Sequence, residues 1–398
     1  MSWIVLKYGG TSVATPDRWV QIARRVRALA ESNRVWVVAS ALAGISDALE
    51  RSIAEAIAGA PLESFEEIRS QHRAFADSLD WKGTEREAVT DLMAQLERLL
   101  EGIRLSQEAP PRLRARILSF GELASTALGS AALATHGIDA VRVDARQLLR
   151  VDEGAVSEAA ARYLEADVQP RSDRAGVERL VGDAGVVVTQ GFIASNAAGE
   201  TCLLGRGGSD TSAALFGALL EAERVEIWTD VHGMFSTDPR VIPSARLIRR
   251  MSYREAQELA AMGAKVLHPR SLAPVAWAGI PVVIRNTQDP DAAGTQIGVH
   301  QEDDPFVMAV VQRKGVTLLS VETLKMWGEA GFLSRVFAPF QQLGVSVDLV
   351  ATSQSAVSVT LDDLPGGTEG EVFRALVERL EGLGTVQVVS PCSVVSIV

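Results

Sequence analysis

Short continuous apolar runs alternate with stretches of helical apolar spacing over most of this 398-residue chain. Residues 3–6 are a strand-like run that ends at Lys7. Thr15-Pro16-Asp17 then marks a helix start, with Val20, Ile22, Ala23, Val26 and Leu29 supplying one apolar stripe. Residues 35–39 read as the next strand. Residues 47–135 are almost wholly helical in pattern, with breaks at Trp81-Lys82-Gly83 and Pro110-Pro111. Strand-like runs return at 138–143, 185–189, 225–229 and 280–284. Apolar strands separated by helices predict an α/β fold whose mostly parallel central sheet is covered on both faces.

After Asn286 the texture changes, and the polar, glycine-containing residues 287–304 suit a linker. Strand patterns follow at 307–312 and 316–321, a helix at 331–343, strands at 346–351 and 356–361, a helix at 368–381 and a strand at 385–389. From 316 onward this is the order strand, helix, strand, strand, helix, strand of a ferredoxin-like α+β module. The expected division is therefore a domain at 1–290, a linker at 291–306 and a second region at 307–398.

Residues 203–212 read Leu-Leu-Gly-Arg-Gly-Gly-Ser-Asp-Thr-Ser and lead directly into an apolar helix. Glycines let backbone N–H groups converge on an anion, and a helix N-terminus adds partial positive charge at the same point. Arg206 adds a planar fork suited to carboxylate or phosphate. Asp210 would repel phosphates unless it holds a cation, a proton or a lysine. The same stretch also fits a glycine turn with Ser209, Asp210 or Thr211 as an N-cap. A dinucleotide fingerprint is excluded, because it requires Gly or Ala where Asp210 stands. No Gly-Lys-Ser/Thr occurs, so a P-loop is absent.

Composition narrows the classes further. The net charge of −11 argues against a nucleic-acid binder or a partner of anionic membranes. Two cysteines and five scattered histidines form neither a disulfide framework nor a zinc spacing. The N-terminus lacks the basic region and apolar core of a signal peptide, and no apolar run approaches the roughly 20 residues of a membrane span. A cytoplasmic protein is expected.

Other candidate groups fall at the ends of the predicted strands. Lys7-Tyr8-Gly9-Gly10-Thr11-Ser12 follows the first strand, where open α/β sheets have their ligand crevice. The ammonium of Lys7 can neutralise a phosphoryl group while the amides of Gly9 and Gly10 bind its oxygens; a surface lysine beside a turn is the alternative. Ser40 to Ser46 follow the second strand. Thr229 and Asp230 end another and suit ribose or adenine edges, while Arg240 can reach phosphates; a strand followed by an Asp-Pro turn fits as well. Lys265 is a phosphate ligand or an ordinary surface charge. Glu122 lies on an otherwise apolar helix, where a buried acid would need a cation such as a substrate ammonium, and an exposed position would need nothing.

Taken together and in this order, residues 7–14, 40–46, 120–122, 191–196, 205–210, 228–240 and 263–269 resemble aspartate kinase, a family of the amino-acid kinase superfamily, over the whole chain. The resemblance implies an amino-acid kinase fold followed by regulatory ACT modules. It implies transfer of the γ-phosphoryl of MgATP to the side-chain carboxylate of L-aspartate, giving 4-phospho-L-aspartate and ADP. No metal ligand comes from protein side chains; Mg2+ arrives with ATP. By the family's pattern Lys7 stabilises the transition state and Asp210 organises it. Arg206 clamps a substrate carboxylate and Glu122 its ammonium, with Ser40, Ser46 and Ser209 as further substrate contacts. Lys7, Gly9, Gly10, Thr229, Asp230, Phe235, Arg240, Lys265 and Val266 belong to the nucleotide. Ser46 and Phe235 depart from the usual threonine and tyrosine; both keep the main contact.

For the second region the resemblance is to the ACT domain of lysine-sensitive relatives. It implies an effector site at Met326, Gly331, Phe332, Leu333, Val347, Asp348 and Ser353, with L-lysine as effector. A small apolar core would account for several of these equally well, and Glu329 and Gln354 differ from the pattern. One ACT module is expected at about 316–390. A second is expected to be incomplete, opening near 307–312 and breaking off within a strand at 393–398, whose edge would need cover. ACT modules generally pair between chains, so a homodimer is expected. Competing readings are a kinase of the same superfamily acting on glutamate, acetylglutamate or UMP, and a non-catalytic amino-acid sensor.

Overall fold

The apolar runs become the centre of one twisted sheet. In the computed structural model β1 (Trp3–Tyr8) lies between β2 (Arg34–Ala39) and β7 (Arg224–Thr229), parallel to both. Residues 1–398 are described except 80–83, 153–158, 265, 300–306, 325, 363 and 365. Two compact units result, 1–308 and 309–398.

In the first unit the chain runs β1, α1 (Gly10–Val13), α2 (Pro16–Ala30), β2, then the helices α3 (Ile45–Ile57), α4 (Glu63–Ser78), α5 (Thr84–Ser106), α6 (Pro111–Leu118) and α7 (Phe120–Thr135). The break expected at Trp81-Lys82-Gly83 lies outside the described residues, whereas Pro111 opens α6 at a position that needs no N–H. Next come β3 (Val141–Val143), α8 (Ala159–Leu164), α9 (Arg174–Val181), β4 (Val186–Gln190), a hairpin of β5 (Ile193–Ser195) and β6 (Thr201–Leu203), α10 (Gly208–Leu220) and β7. β8 (Arg250–Ser252), α11 (Tyr253–Ala261), α12 (Ala273–Ala278), β9 (Val282–Asn286) and β10 (Thr295–Gly298) complete it.

The sheet order is β3-β4-β2-β1-β7-β9-β10-β8, parallel throughout the centre, with β10 antiparallel to β9. β2 and β7 leave β1 on opposite sides, which opens a crevice at the C-terminal end of β1. Residues 295–298, read above as linker, are a strand of this sheet. Their polar sequence hides a period of two, with Thr295 and Ile297 fully buried and Gln296 exposed.

α7 and α10 show no apolar stripe because they are buried nearly all round. α6 and α7 together (Pro111–Thr135) are long and apolar enough to cross a membrane, so the expectation that no run approaches that length is corrected. Most of that stretch is buried inside the fold, as the core helix of a folded domain is. In α2 the buried stripe contains Trp19 rather than Val20. The Trp19 ring occupies the space over Gly129 of α7, where a Cβ would stand 2.2 Å from it.

The second unit contains β11 (Val310–Glu322), α13 (Phe332–Gln342), β12 (Val350–Thr352), β13 (Ala356–Leu361), α14 (Glu371–Glu381) and β14 (Thr385–Ile397). Its antiparallel sheet runs β12-β13-β11-β14, and Leu319, Val357 and Val359 pack against Phe332, Phe340 and Leu376. This is the ferredoxin-like order expected. Two differences stand out. The runs 307–312 and 316–321 are one strand, bent at Gly315 (φ 77°), where the register shifts. Its first half pairs with the end of β14, Val310 opposite Ile397, so residues 393–397 are paired on that side. The strand expected at 346–351 is shorter, with regular pairing only from Val350, although the Asp348 amide still donates to the Thr360 carbonyl and the Thr360 amide to the Leu349 carbonyl.

Gly129→Ala forces a methyl into the Trp19 ring and is expected to lower stability by about 1–3 kcal/mol in urea denaturation. An unchanged midpoint would show that α2 and α7 do not meet this closely.

Candidate active site

Lys7 is the penultimate residue of β1, and its Nζ lies 2.6 Å from Oδ1 of Asp210, with the two side chains 12% and 14% exposed. Asp210 is the third residue of α10, whose N-cap is Gly207 in the left-handed conformation (φ 67°). The N-cap alternatives Ser209, Asp210 and Thr211 are therefore corrected: all three lie inside the first turn. A helix N-terminus carries partial positive charge, so a carboxylate there is favoured as well as ion-paired. Arg206 immediately precedes the cap and is exposed.

Several connections pack around this corner, three of their contacts at distances only glycine allows. A Cβ on Gly10 would lie 2.9 Å from the Ala41 carbonyl, which brings the β1–α1 turn against the turn after β2. A Cβ on Gly191 would meet Ser209 at 2.7 Å. Phe192, at φ 68°, is held by donation of its amide to Ser212 Oγ at 2.9 Å. A Cβ on Gly207 would stand 2.2 Å from Cβ of His268.

His268 thus belongs to the corner, although sequence reasoning gave it no role. Burial and the Arg270 guanidinium pull its imidazole below the usual value; Asp210 opposes this and Arg206 adds to it. The Gly207 contact was not legible in sequence, because the two residues are far apart along the chain.

Glu122 settles the question left open by its helix. It is 3% exposed, and the Ala41 amide donates to its Oε1 at 3.2 Å. Oε2 has no hydrogen-bond partner among the described residues. Burial pushes its carboxyl up to about 8. A buried acid with one unfilled oxygen is the arrangement a cationic ligand group would complete. Ser40 is half-buried and Ser46 is exposed in the first turn of α3, both next to the Ala41 turn.

At the end of β7, Thr229 Oγ1 donates to Asp230 Oδ1 at 3.2 Å. Phe235 is half-buried and bridges to Leu247, and Val266 is half-buried in a turn. Arg240 is exposed and folded onto Asp238 at 3.1 Å. Lys265 lies outside the described residues. Behind this edge, Glu226 is fully buried. Although burial pushes its carboxyl up, Arg25 at 2.6 Å and Arg224 at 2.9 Å hold it below its usual value. No group of three or more His, Cys, Asp or Glu side chains among the described residues could hold a metal ion.

In the second unit the expected effector residues divide. Phe332 is 3% exposed within the core, and Met326 and Val347 pack against that core. Phe332 is thus a core side chain. Gly331 caps α13 at φ 82°, Leu333 is exposed, and Ser353 Oγ accepts from the Ala356 amide. Asp348 lies 3.6 Å from Arg313, which also holds Asp362 at 2.8 Å.

Residues 2–286 match the amino acid kinase family, the class that this sheet and its anion-facing corner define. The lysine-sensitive aspartokinase 3 of Escherichia coli is 36% identical over 99% of this chain and 86% of its own length. The chloroplastic aspartokinase 3 of Arabidopsis thaliana is 32% identical over 99% and 71%. Among solved structures, E. coli aspartokinase III in complex with aspartate and ADP superposes with a TM-score of 0.81 at 34% identity, over 99% of this chain and 87% of that one. The same enzyme with lysine and aspartate gives 0.80 at 35%, over 99% and 86%. The chain belongs to the aspartokinase family.

Because the folded chain binds the Glu122 proton more tightly than the unfolded chain, with its ordinary value of 4.5, this contribution to stability is complete below that pH. It is lost as pH rises towards about 8. Glu122→Gln removes the titration, so in ligand-free thermal denaturation the variant should gain on the parent between about pH 5 and about pH 9. A difference independent of pH would mean that the carboxyl is not raised.

Proposed function

We propose that this protein is an aspartate kinase: it transfers the γ-phosphoryl group of MgATP to the side-chain carboxylate of L-aspartate. A carboxylate oxygen bonds to phosphorus as the bond from phosphorus to the ADP oxygen breaks, giving 4-phospho-L-aspartate and ADP. The attacking carboxylate is already charged at neutral pH, so no base is needed. The work is to bring two anions together, by positioning and positive charge.

The observation that carries this reading is the Lys7–Asp210 pair at the N-terminus of α10, at the crevice end of β1. Asp210 fixes the ammonium of Lys7 towards the phosphates, where it neutralises charge on the moving group. The amides of Gly9, Gly10 and the first turn of α10 take phosphoryl oxygens. Arg206 clamps the α-carboxylate of aspartate, and the open oxygen of Glu122 takes its ammonium, with Ser40, Ser46 and Ser209 around it. Thr229, Asp230, Phe235, Arg240, Lys265 and Val266 hold the nucleotide. Arg240 must leave Asp238 to do so, an exposed pair that costs little to break. Mg2+ is assigned to the ATP phosphates, with which it arrives.

The second unit is assigned a regulatory role as an ACT region that pairs between two copies of the chain and takes L-lysine as inhibitor. The lysine-and-aspartate complex of the E. coli relative supports this. Asp348 is the natural partner for an effector amine, and the exposed backbone at Gly331 for its carboxylate. The product feeds lysine, threonine and methionine synthesis, and free aspartate and ATP as substrates fit a cytoplasmic enzyme.

Aspartate-dependent ADP release tests the assignment. Lys7→Ala is expected to lose on the order of a hundredfold or more in turnover, as for removal of one transition-state donor. Arg206→Ala should chiefly raise KM for aspartate, by about 10- to 100-fold for a charged hydrogen bond worth roughly 1.5–3 kcal/mol. Millimolar lysine should inhibit the parent. Near-parent turnover of Lys7→Ala would remove its role, and indifference to lysine would remove the effector.

A further inference from the structure

The nucleotide strip 229–234 rests on a segment, 286–295, to which the reading above gives no part. β7 and β9 are parallel neighbours with Thr229 in register with Asn286. The Thr229 carbonyl accepts twice from Thr287, from its amide at 2.8 Å and its hydroxyl at 2.9 Å. Asn286 is 4% exposed, so its amide must find partners within the fold. Its Oδ1 accepts from the Gln288 amide at 2.7 Å, which sets the orientation of the side chain. Its Nδ2 then faces the Asp230 carbonyl at 3.5 Å and Nδ1 of His232 at 3.3 Å. With Nδ1 accepting, the imidazole proton is on Nε2, which lies 3.3 Å from Asp289 Oδ2.

The far end of the strip is held by the same segment. Thr295 Oγ1 accepts from the Met234 amide at 2.9 Å and donates to the Ile248 carbonyl at 2.6 Å. Gly233, at φ 145°, passes so close that a Cβ would stand 2.3 Å from that hydroxyl. Gly294, at φ 71°, turns the segment beneath Ile284, where a Cβ would lie 2.0 Å from its carbonyl. The Thr229 and Asp230 carbonyls and the Met234 amide are therefore anchored from 284–295, while the Met234 carbonyl is held from outside it, by the Ile248 amide at 2.8 Å.

We propose that Asn286 and Thr287 are positioning residues for the nucleotide: by holding the Thr229 and Asp230 carbonyls they preset the hydroxyl and carboxylate that meet ATP. The inference rests on the assignment of Thr229 and Asp230 to the nucleotide. Its physical content is entropic. A strip already fixed at its carbonyls need not be ordered when ATP binds, so the anchors act on ATP affinity and leave the aspartate side of the site alone.

The test uses the full chain with three variants, Asn286→Ala, Thr287→Val and Asp230→Ala, and measures kcat, both KM values and thermal midpoints. Asn286→Ala should raise KM for ATP about tenfold and Thr287→Val by about threefold, with kcat and KM for aspartate within about twofold of the parent. If Asp230→Ala raises KM for ATP while Asn286→Ala and Thr287→Val leave it unchanged, the inference fails and the nucleotide assignment stands. If Asp230→Ala also leaves it unchanged, the assignment fails and takes the inference with it. A parallel fall in kcat and in affinity for both substrates would show a merely structural role and overturn the proposal. Should Asn286→Ala not fold, Thr287→Val, which removes only a hydroxyl, decides the matter by the same split.

Discussion

The ion pair between Lys7 and Asp210 joins the central strand of the sheet to the helix that opens at the crevice, and the rest of the site is arranged about it. Two mostly buried charges lose much of their hydration, and their mutual attraction offsets that loss only when the geometry is good. A separation of 2.6 Å and a place in the first turn of α10 supply that geometry. Removing one partner of such a pair typically costs about 3–5 kcal/mol, because the other is left buried and alone. In the function proposed above, an acid beside a phosphate site, unfavourable in isolation, is the device that keeps an ammonium pointed at phosphorus.

The corner also solves a problem set by the whole chain. At a net charge of −11 the protein repels both ATP and aspartate at long range. Attraction must be local, and the groups available at this corner are glycine amides and a helix terminus, which carry no net charge, together with the cations Lys7 and Arg206, drawn from separate segments and already counted in the total. Close approach of the β1, β2, β4 and β6 connections at Gly10, Gly191 and Gly207 makes this possible. Glu122, kept from water and from full ionisation by burial, is assigned the complementary role in the proposed function, with an arriving ammonium favouring its charged form.

Most of the parallel sheet was legible because β1, β2, β4 and β7 are buried on both faces and read as unbroken apolar runs. The site loops were legible where glycine and charge coincide in a few adjacent residues, as at 7–10 and 205–210. What escaped was set by tertiary contact. β10 hid in a polar stretch because only two of its side chains are buried. β11 looked like two strands because a bulge at Gly315 interrupts it. The burial of Glu122, the contact of His268 with Gly207 and the support under residues 229–234 depend on packing between distant segments, which local pattern does not carry. The burial of the Phe332 ring in the core of the second unit was hidden for the same reason.

If Lys7 and Asp210 act as one unit, their removal cannot be additive. A double-mutant cycle on turnover at saturating substrates, with Lys7→Met, Asp210→Asn and both together, measures this directly. The account predicts that the double variant is no slower than the slower single variant. Losses that multiply as independent factors would contradict it.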